Sequence, residues 1–182
     1  HSFSTLSTGG FSTKNNGIAA FSSPGIKIVL TIFMFIAGIN LPLVYFALKG
    51  NFKKISGNHE FIFYFLLTAG FIVMSAVVLT VSEDFKIGKA LTDSVFHIVS
   101  IISTTGYYTA DFMNWGSIMT MVIFILMFTG GTAGSTSSGI KIIRLSLITI
   151  NYRKEMHRLI HPNAYIPVRI DEKPRMNAAV RA

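Results

Sequence analysis

The sequence has no cysteine and few charged residues, and each shortage excludes a class of protein. Without cysteine among its 182 residues, the chain cannot form disulfide frameworks, thiolate metal sites or cysteine nucleophiles. Charged side chains make up only 13%, whereas a soluble domain carries about a quarter, because its whole surface must be wetted. The charges are bunched and leave long uncharged runs, which is typical of a chain surrounded by lipid. Intrinsic disorder is excluded too, since 51% of the residues are apolar.

Acidic residues are scarcer than basic ones, with 8 Asp and Glu against 16 Lys and Arg and a formal net charge of +8. The first residue is His1, and no basic segment precedes an apolar stretch, so no signal peptide is recognisable. We therefore expect an internal piece of a longer polypeptide.

Uncharged runs predict the membrane-spanning helices. Residues 28–48 and 61–81 are each 21 residues long, which at about 1.5 Å per residue is enough to cross a hydrocarbon core of roughly 30 Å. A Gly-x-Asn-x-Pro sequence at residues 38–42 predicts a kink or a close helix contact inside the first run. Residues 112–128 predict a third span, which a Gly/Ser/Thr-rich stretch interrupts before the apolar residues 140–150.

Residues 88–103 are apolar but contain Asp93 and His97, and the segment is too short and too polar to cross the membrane. It is therefore predicted to be a re-entrant half-helix. His97 lies one helical turn after Asp93, so the two residues can pair and orient the half-helix. Metal ligation by His97 is the alternative.

The basic residues predict the orientation, because cytoplasmic loops carry an excess of Lys and Arg. The connector at residues 49–60 has three Lys, and the tail from Lys141 onward has nine Lys and Arg. Residues 82–115, by contrast, have two Lys and four acidic residues. The connector and the tail are therefore predicted to be cytoplasmic, and the half-helix to enter from outside. Nucleic-acid binding by the basic tail is the alternative.

An internal repeat is found when the sequence is shifted against itself by 96 positions. Residues 1–13 then align with residues 97–109, and six of the thirteen pairs are identical. Each copy holds a Ser-Thr-x-Gly-aromatic loop, and non-helical backbone at membrane depth persists only where it is buried in protein or lines water. Such a loop suits a cation, because its carbonyl oxygens replace the hydration shell while the aromatic residue packs behind it. Two ordinary surface turns are the alternative.

Three motifs resemble those of a known family. They are Ser-Thr-Gly-Gly-Phe-Ser-Thr at residues 7–13, Ser-Thr-Thr-Gly-Tyr-Tyr-Thr-Ala-Asp-Phe at 103–112, and Gly-Gly-Thr-Ala-Gly-Ser-Thr-Ser-Ser-Gly-Ile-Lys-Ile-Ile-Arg at 130–144. Together they resemble the Trk/Ktr/HKT family of potassium transporters and, within it, the bacterial TrkH-type potassium uptake membrane subunits. The resemblance implies an all-α membrane protein of membrane-pore-membrane repeats. Their re-entrant pore half-helices and filter loops form a potassium-channel-like pathway.

The same resemblance divides the chain into parts. Residues 1–49 would be the end of one repeat, with a filter loop and a second transmembrane helix, and residues 50–60 the cytoplasmic connector. Residues 61–150 would be a complete repeat, made of a transmembrane helix, a pore half-helix, a filter loop and an interrupted transmembrane helix. Residues 151–182 would be a cytoplasmic linker to a further repeat.

The resemblance implies potassium translocation and no enzymatic chemistry, with no covalently bound cofactor and the potassium ion as substrate. We call residues 7–13 the first filter loop and residues 103–109 the second. The implied ion-binding residues are Thr8, Gly9, Gly10, Phe11, Thr104, Thr105, Gly106 and Tyr107. Gly10 and Gly106 would be the filter glycines. A serine at one such position accompanies sodium transport in some plant members, so two glycines favour potassium, and a sodium-conducting member is the alternative.

The third motif resembles the family's intramembrane loop, here residues 130–139, which acts as a gate under the filter. Its implied gating residues are Gly130, Gly131, Gly134, Ser135, Thr136, Ser137, Ser138 and Gly139. Small residues permit movement, and hydroxyl groups suit a hydrated ion. A phosphate-binding loop is disfavoured, because Ile140 separates the last glycine from Lys141 and no strand precedes it. An intramembrane hydrolase using Ser135 or Ser137 with His97 is a further alternative, although no Gly-x-Ser-x-Gly pattern is present.

Charged residues near the pathway have several possible roles. Asp111 is expected to make the outer mouth of the pathway negative, together with Asp93, Glu83 and Asp84. For Glu83 and Asp84, a solvated outer loop is an equally good explanation. Lys141 and Arg144 are expected to contact the moving loop or a cytosolic partner, or to be plain positive-inside anchors. The resemblance also implies an integral protein of the bacterial plasma (inner) membrane. Its implied partners are membrane lipid, a second copy in a homodimer and a cytosolic nucleotide-binding, TrkA-like subunit, without nucleic acid.

Overall fold

The computed structural model describes residues 1–21, 23–82, 87–109 and 115–160. The chain divides into two compact units, residues 1–143 and residues 144–182. The described helices are α1 (Ser2–Leu6), α2 (Pro24–Ala37), α3 (Leu41–Leu48), α4 (Phe52–Ser56), α5 (His59–Ser82), α6 (Ile87–Ile102), α7 (Gly116–Leu126) and α8 (Ile142–Ile160). Apart from a short 3-10 turn and one isolated bridge, these helices are all the regular structure in that part of the chain. The predicted all-α class is confirmed.

Helix α5 corresponds to the second predicted span. It follows Asn58, whose Oδ1 accepts a hydrogen bond from the Phe61 N–H at 2.9 Å, and Glu60 in its first turn complements the helix dipole. Over His59–Val81 it is long and apolar enough to cross a membrane, and most of that stretch is not buried by the rest of the chain. A helix is therefore confirmed at the place of the span predicted at residues 61–81, and its length and composition suit a membrane span.

The first predicted span is not one continuous helix. Helix α2 ends at Ala37, α3 begins at Leu41, and the axes of the two helices are bent by 116° at the break. The prediction of a single helix over residues 28–48 is therefore wrong, although the break falls in the segment that predicted a kink. Pro42 lies in the first turn of α3, where its missing N–H removes no helical hydrogen bond. Taken together, the bent pair is apolar enough to count as one broken span.

Helix α6 is the buried helix of the first unit, and it matches the predicted half-helix to within one residue at each end. It packs against α5 and α2. One apolar cluster joins it to α5 and α7, and a second joins it to α2. The half-helix is thus held from several sides, which positions the loop that follows it.

The third predicted span is a short helix followed by a loop. Helix α7 has only 11 residues, and the residues just before Trp115 lie outside the described part of the chain. The loop ends where α8 begins at Ile142, so the predicted interruption is confirmed. Its two ends are tied together, because the Gly130 N–H donates to the Ile140 carbonyl at 2.9 Å and the Ile140 N–H to the Phe128 carbonyl at 3.0 Å. In the second unit, the described residues 144–160 form the remainder of α8.

Candidate functional site

The two filter loops leave their helices through the same turn. The Thr8 N–H donates to the Thr5 carbonyl at 3.2 Å, and the Thr104 N–H donates to the Ile101 carbonyl, 96 residues later, at 2.9 Å. The N–H of the next residue in each loop, Gly9 or Thr105, donates to the carbonyl five residues before it, at 2.8 Å and 2.9 Å. The repeat found in the sequence is therefore also a repeat of backbone structure.

Each filter loop holds one threonine and one glycine in the left-handed backbone region. The φ angle is +53° at Thr8 and +57° at Thr104, and it is +67° at Gly10 and +79° at Gly106. Glycine adopts this region readily, whereas a β-branched residue there costs roughly 1–3 kcal/mol. Among the described residues the two threonines are the non-glycine residues with positive φ. The backbone strain is thus concentrated in the filter loops.

Two serines that were not among the predicted site residues support the filter loops. The Ser4 Oγ accepts a hydrogen bond from the Phe11 N–H at 2.8 Å, and the Ser100 Oγ donates to the Tyr107 carbonyl at 2.7 Å. Each bond joins a helix to the aromatic residue seven positions later. Ser4 and Ser100 form one of the identical pairs in the repeat, and that identity is the sequence signal that points to them.

The two filter aromatics take different positions. Tyr107 is buried, and its hydroxyl donates to the carbonyl oxygens of His1 at 3.3 Å and Phe11 at 3.2 Å. It therefore bridges the two filter loops. Phe11 is 80% exposed. The expectation that the aromatic residue packs behind its loop is confirmed for Tyr107 and wrong for Phe11.

The intramembrane loop folds tightly around its serines and Lys141. The Gly131 N–H donates to the Ser137 Oγ at 2.8 Å, and that oxygen lies 2.7 Å from the Ser135 Oγ. The Lys141 ammonium lies 3.3 Å from both the carbonyl oxygen and the Oγ of Ser135, and it also donates to the Ser137 carbonyl. Lys141 therefore contacts the loop, which was one of its expected roles.

The backbone of the intramembrane loop fills the break between α2 and α3. The Thr132 N–H donates to the Gly38 carbonyl at 3.0 Å, and the Thr136 N–H donates to the Ala37 carbonyl at 3.3 Å. These bonds satisfy two carbonyl groups at the end of α2, where the helix supplies no further N–H partners. The break and the loop thus stabilise each other.

Glu60, in the first turn of α5, holds another part of the same loop. Its carboxylate accepts a hydrogen bond from the Ala133 N–H, 73 residues away in the sequence. Glu60 has no distinctive signal in the sequence, because an acidic residue at the start of an apolar run is typical of any helix start. Only the fold brings its carboxylate to the intramembrane loop.

The intramembrane loop also contacts both filter loops directly. The Thr8 Oγ1 donates to the Thr136 carbonyl at 3.0 Å, and the Thr136 Oγ1 donates to the Leu6 carbonyl at 2.9 Å. On the second filter loop, the Thr104 Oγ1 accepts a hydrogen bond from the Ser138 N–H at 2.7 Å. The three loops therefore meet at one junction.

The glycines of the intramembrane loop are required for two different reasons. A Cβ atom at Gly130 would lie well under 3.0 Å from the Ser138 carbonyl oxygen, and one at Gly131 would lie 2.5 Å from a backbone oxygen at the α2–α3 break. Gly134 and Gly139 instead have positive φ angles of +75° and +79°. The first pair lets the loop backbone approach its neighbours, and the second pair lets it turn.

His97 bonds to the backbone of Asp93, one turn earlier in α6. Its Nδ1 lies 2.8 Å from the Asp93 carbonyl oxygen, and its ring lies edge-on to Trp115 with the ring centroids 4.7 Å apart. Both residues are buried. In the part of the chain that the structure describes, no group of three His, Cys, Asp or Glu side chains is placed to hold a metal ion.

Five other charged residues have predicted roles. Asp111, Glu83 and Asp84 lie outside the described residues. Asp93 is buried in α6. Arg144 belongs to the second unit, where its side chain is exposed.

Comparison with known proteins gives consistent matches over nearly the whole chain. A family model described as TrkH, cation transport protein, matches residues 1–180. The chain is 36% identical over 171 residues to "Trk system potassium uptake protein TrkH" of Halomonas elongata, covering 93% of the chain and 36% of that protein. It is 31% identical over 175 residues to the protein of the same name in Escherichia coli K12, covering 95% of the chain and 36% of that protein.

A solved structure matches as well. The crystal structure of the potassium transporter TrkH from Vibrio parahaemolyticus superimposes with a TM-score of 0.88 at 30% sequence identity. The match covers 93% of this chain and 37% of that one. The chain thus spans a little over a third of the length of the relatives that it matches.

Proposed function

This chain belongs to the TrkH family of cation transport proteins, and from that premise we propose that it forms part of a potassium pathway in a longer membrane protein. Relatives that it matches over a little more than a third of their length are named potassium uptake proteins. In this proposal the chain contributes two filter loops and the gate beneath them. The rest of the longer protein completes the pathway.

The junction of the three loops is the observation that carries the proposal. Both filter loops have the same turn and the same left-handed positions, and the intramembrane loop bonds to each of them. Non-helical backbone at membrane depth is stable only where it is buried in protein or lines a water-filled path. Carbonyl oxygens from such loops can replace the hydration shell of a monovalent cation. A cation pathway therefore accounts for the irregular backbone and for its repetition.

Potassium is the proposed ion. Both filter positions hold glycine, Gly10 and Gly106, and the relatives are named for potassium uptake. The proposed ion-binding residues are Thr8, Gly9, Gly10, Phe11, Thr104, Thr105, Gly106 and Tyr107. The carbonyls of Phe11 and Tyr107 already accept one side-chain hydrogen bond each, so each has a single lone pair left for the ion.

The intramembrane loop is the proposed gate. Its bonds to Thr8 and Thr104 hold it against the inner end of the filter loops, so ions pass only when it moves aside. The hydroxyls of Ser135 and Ser137 bond to each other, and Lys141 bonds to the same segment. These contacts suit a loop held shut and not a serine activated for attack. The pathway accordingly uses no covalent chemistry.

The membrane arrangement and partners are part of the same proposal. The connector at residues 49–60 and the tail from Lys141 onward lie on the cytoplasmic side of a bacterial plasma membrane. The repeats have the boundaries that the family resemblance implies. The exposed Lys49 and Lys54 of the connector give that side a positive surface. The complete protein is a homodimer, and a cytosolic nucleotide-binding, TrkA-like subunit regulates it.

Ion uptake by the complete protein tests the proposal. The full-length gene is expressed with its regulatory subunit in a bacterium that lacks its own potassium uptake systems, and rubidium uptake is measured. We expect uptake that excess potassium suppresses and excess sodium does not. Suppression by sodium instead would identify a sodium pathway. No uptake by a protein shown to be inserted in the membrane would refute the proposed function.

Replacing Lys141 by methionine is expected to loosen the gate. The substitution keeps much of the side-chain length but removes the ammonium that bonds to Ser135 and Ser137. A hydrogen bond from a charged group contributes about 1.5 kcal/mol or more, so the open probability without activation should rise roughly tenfold. Single-channel recording of the complete protein measures this open probability. Lys49→Met removes the same charge from the exposed connector and should leave the open probability unchanged, and an unchanged value for Lys141→Met would contradict the proposed restraint.

A further inference from the structure

Thr8 and Thr104 combine two unusual features. Both have positive φ, at +53° and +57°, although they are β-branched. Both also direct the side-chain hydroxyl to the backbone of the intramembrane loop, Thr8 to the Thr136 carbonyl at 3.0 Å and Thr104 to the Ser138 N–H at 2.7 Å. Because the two threonines occupy the same position in the repeat, the combination occurs once in each copy.

We infer that these two hydroxyls couple the filter loops to the intramembrane loop, so that a change in either one alters the other. The inference rests on the proposed function, because it takes residues 7–13 and 103–109 as the filter and residues 130–139 as the gate. Coupling between two sites is reciprocal. The position of the gate therefore changes ion binding in the filter, and ion binding changes the position of the gate.

The polarity of the two bonds explains why both positions carry a hydroxyl. The Thr8 hydroxyl has one proton, which the Thr136 carbonyl at 3.0 Å shares with the carbonyl of the neighbouring Ser7 at 2.7 Å. The Thr104 hydroxyl instead accepts a hydrogen bond from an N–H group. A hydroxyl does both, so one residue type serves two backbone groups of opposite polarity in the segment 136–138. Valine has nearly the same shape as threonine but neither capacity, and serine keeps the hydroxyl. The two substitutions therefore separate the hydrogen bond from the shape.

The strained backbone gives the coupling a physical route. A β-branched residue remains in the left-handed region only where its surroundings hold it there. The bond to the intramembrane loop is one of the contacts that hold Thr8 and Thr104. When the loop moves away, that contact is lost and each threonine is freer to relax. The carbonyl groups on either side of it then turn, and these are proposed ion ligands.

Thr136 allows the junction to be weakened from the gate side. Its hydroxyl has one proton, which the Leu6 carbonyl at 2.9 Å and the Ala37 carbonyl at 3.1 Å share. Thr136→Val removes these bonds without changing any residue of the filter loops. If the hydroxyls of Thr8 and Thr104 served only as ion ligands, a change at Thr136 would not affect ion binding.

Single-channel recording of the complete protein, in planar bilayers with its regulatory subunit, tests the inference. Open probability and apparent potassium affinity are measured for Thr8→Val, Thr104→Val and Thr136→Val at equal membrane insertion. Each variant should raise the open probability about fivefold, the effect of losing one neutral hydrogen bond. Thr8→Ser and Thr104→Ser should restore it. Thr136→Val should also shift the apparent potassium affinity, although it lies outside the filter.

Thr120→Val is the matched control. Its hydroxyl donates to the Gly116 carbonyl of its own helix, α7, at 3.1 Å. Thr120 takes no part in the hydrogen bonds between the three loops described above. Both the open probability and the potassium affinity should keep their wild-type values.

A double-mutant cycle decides between coupling and independent roles. The effects of Thr8→Val and Thr136→Val on open probability should be non-additive, whereas those of Thr8→Val and Thr120→Val should add. Additive effects in the first pair overturn the inference. So do valine variants that change ion affinity and leave the open probability at its wild-type value. A wild-type protein that conducts no cation overturns the proposed function instead, which keeps the two failures distinguishable.

Discussion

Alanine at Gly10 is expected to abolish potassium uptake by the complete protein, whereas alanine at Gly106 leaves a measurable part of it. The two glycines occupy the same position in the repeat, and their φ angles are +67° and +79°. The left-handed region costs alanine roughly 1–2 kcal/mol, so backbone strain lowers both activities to a similar extent. The surroundings differ. A Cβ atom at Gly10 would lie well under 3.0 Å from the Thr105 carbonyl oxygen, and nothing lies within 4 Å of a Cβ atom at Gly106.

The overlap at Gly10 is with backbone, so no side-chain rotation relieves it. Either the Thr105 carbonyl turns away or the two filter loops separate, and each change displaces a proposed potassium ligand. Uptake by Gly10→Ala should therefore fall to the level of cells that lack the transporter. Gly106→Ala, which suffers only the backbone strain, should retain roughly a tenth of the wild-type rate.

Rubidium uptake at equal amounts of inserted protein measures the difference. Gly50→Ala is the matched control, because Gly50 lies in the connector with a φ of +73° and nothing within 4 Å of its Cβ position. It carries the same backbone strain away from the filter and should keep uptake near the wild-type rate. Equal losses at Gly10 and Gly106 would contradict the asymmetry.

The sequence was sufficient for the elements whose signal is local. Residues 61–81 are uncharged and apolar, so their length alone places α5 to within two residues at its start and one at its end. Gly10 and Gly106 were paired for another reason, because one motif occurs twice with glycine at the same position, and both glycines have positive φ. Neither signal depends on which distant residues become neighbours in the fold.

The bend between α2 and α3 depends on distant residues, and the sequence could not supply it. Gly38 and Pro42 predict a weak point in a helix, but not a bend of 116°. Hydroxyl groups of Thr132 and Thr136 donate to the Gly38 and Ala37 carbonyls, at separations of 94 and 99 residues. Without these partners the broken helix would leave buried carbonyl groups unsatisfied. The contact of Glu60 with the same loop could not be predicted for the same reason. The contact of Lys141 with the loop was one of its expected roles, but the atoms that it bonds to could not be predicted.

Alanine at Gly130 is expected to hold the proposed gate open. Gly130 is not among the described glycines with positive φ, so alanine suits its backbone and only the added Cβ atom matters. That atom would lie well under 3.0 Å from the Ser138 carbonyl oxygen. Ser138 must therefore shift, and its N–H is the group that bonds to the Thr104 hydroxyl at 2.7 Å. The substitution thus separates the intramembrane loop from the second filter loop.

The complete protein with Gly130→Ala should conduct without activation in planar bilayers, with an open probability at least about fivefold above the wild-type value, as for Thr104→Val, and still below its maximum. Gly70→Ala is the control, because Gly70 lies in α5 with nothing within 4 Å of its Cβ position. Alanine is favoured over glycine inside a helix, so that variant should insert and gate like the wild type. A Gly130→Ala protein that inserts normally and stays closed would contradict the described packing of the gate.

A combined variant distinguishes an open gate from a damaged protein. If Gly130→Ala acts by moving Ser138 away from Thr104, the bond between them is already lost, and adding Thr104→Val should raise the open probability no further. General disruption of the loop predicts instead that the second substitution adds its own effect. The filter loops remain unsubstituted in the Gly130→Ala variant, so its current should be carried by potassium more readily than by sodium. A leak without that preference would mean that the substitution has disrupted the filter as well as the gate.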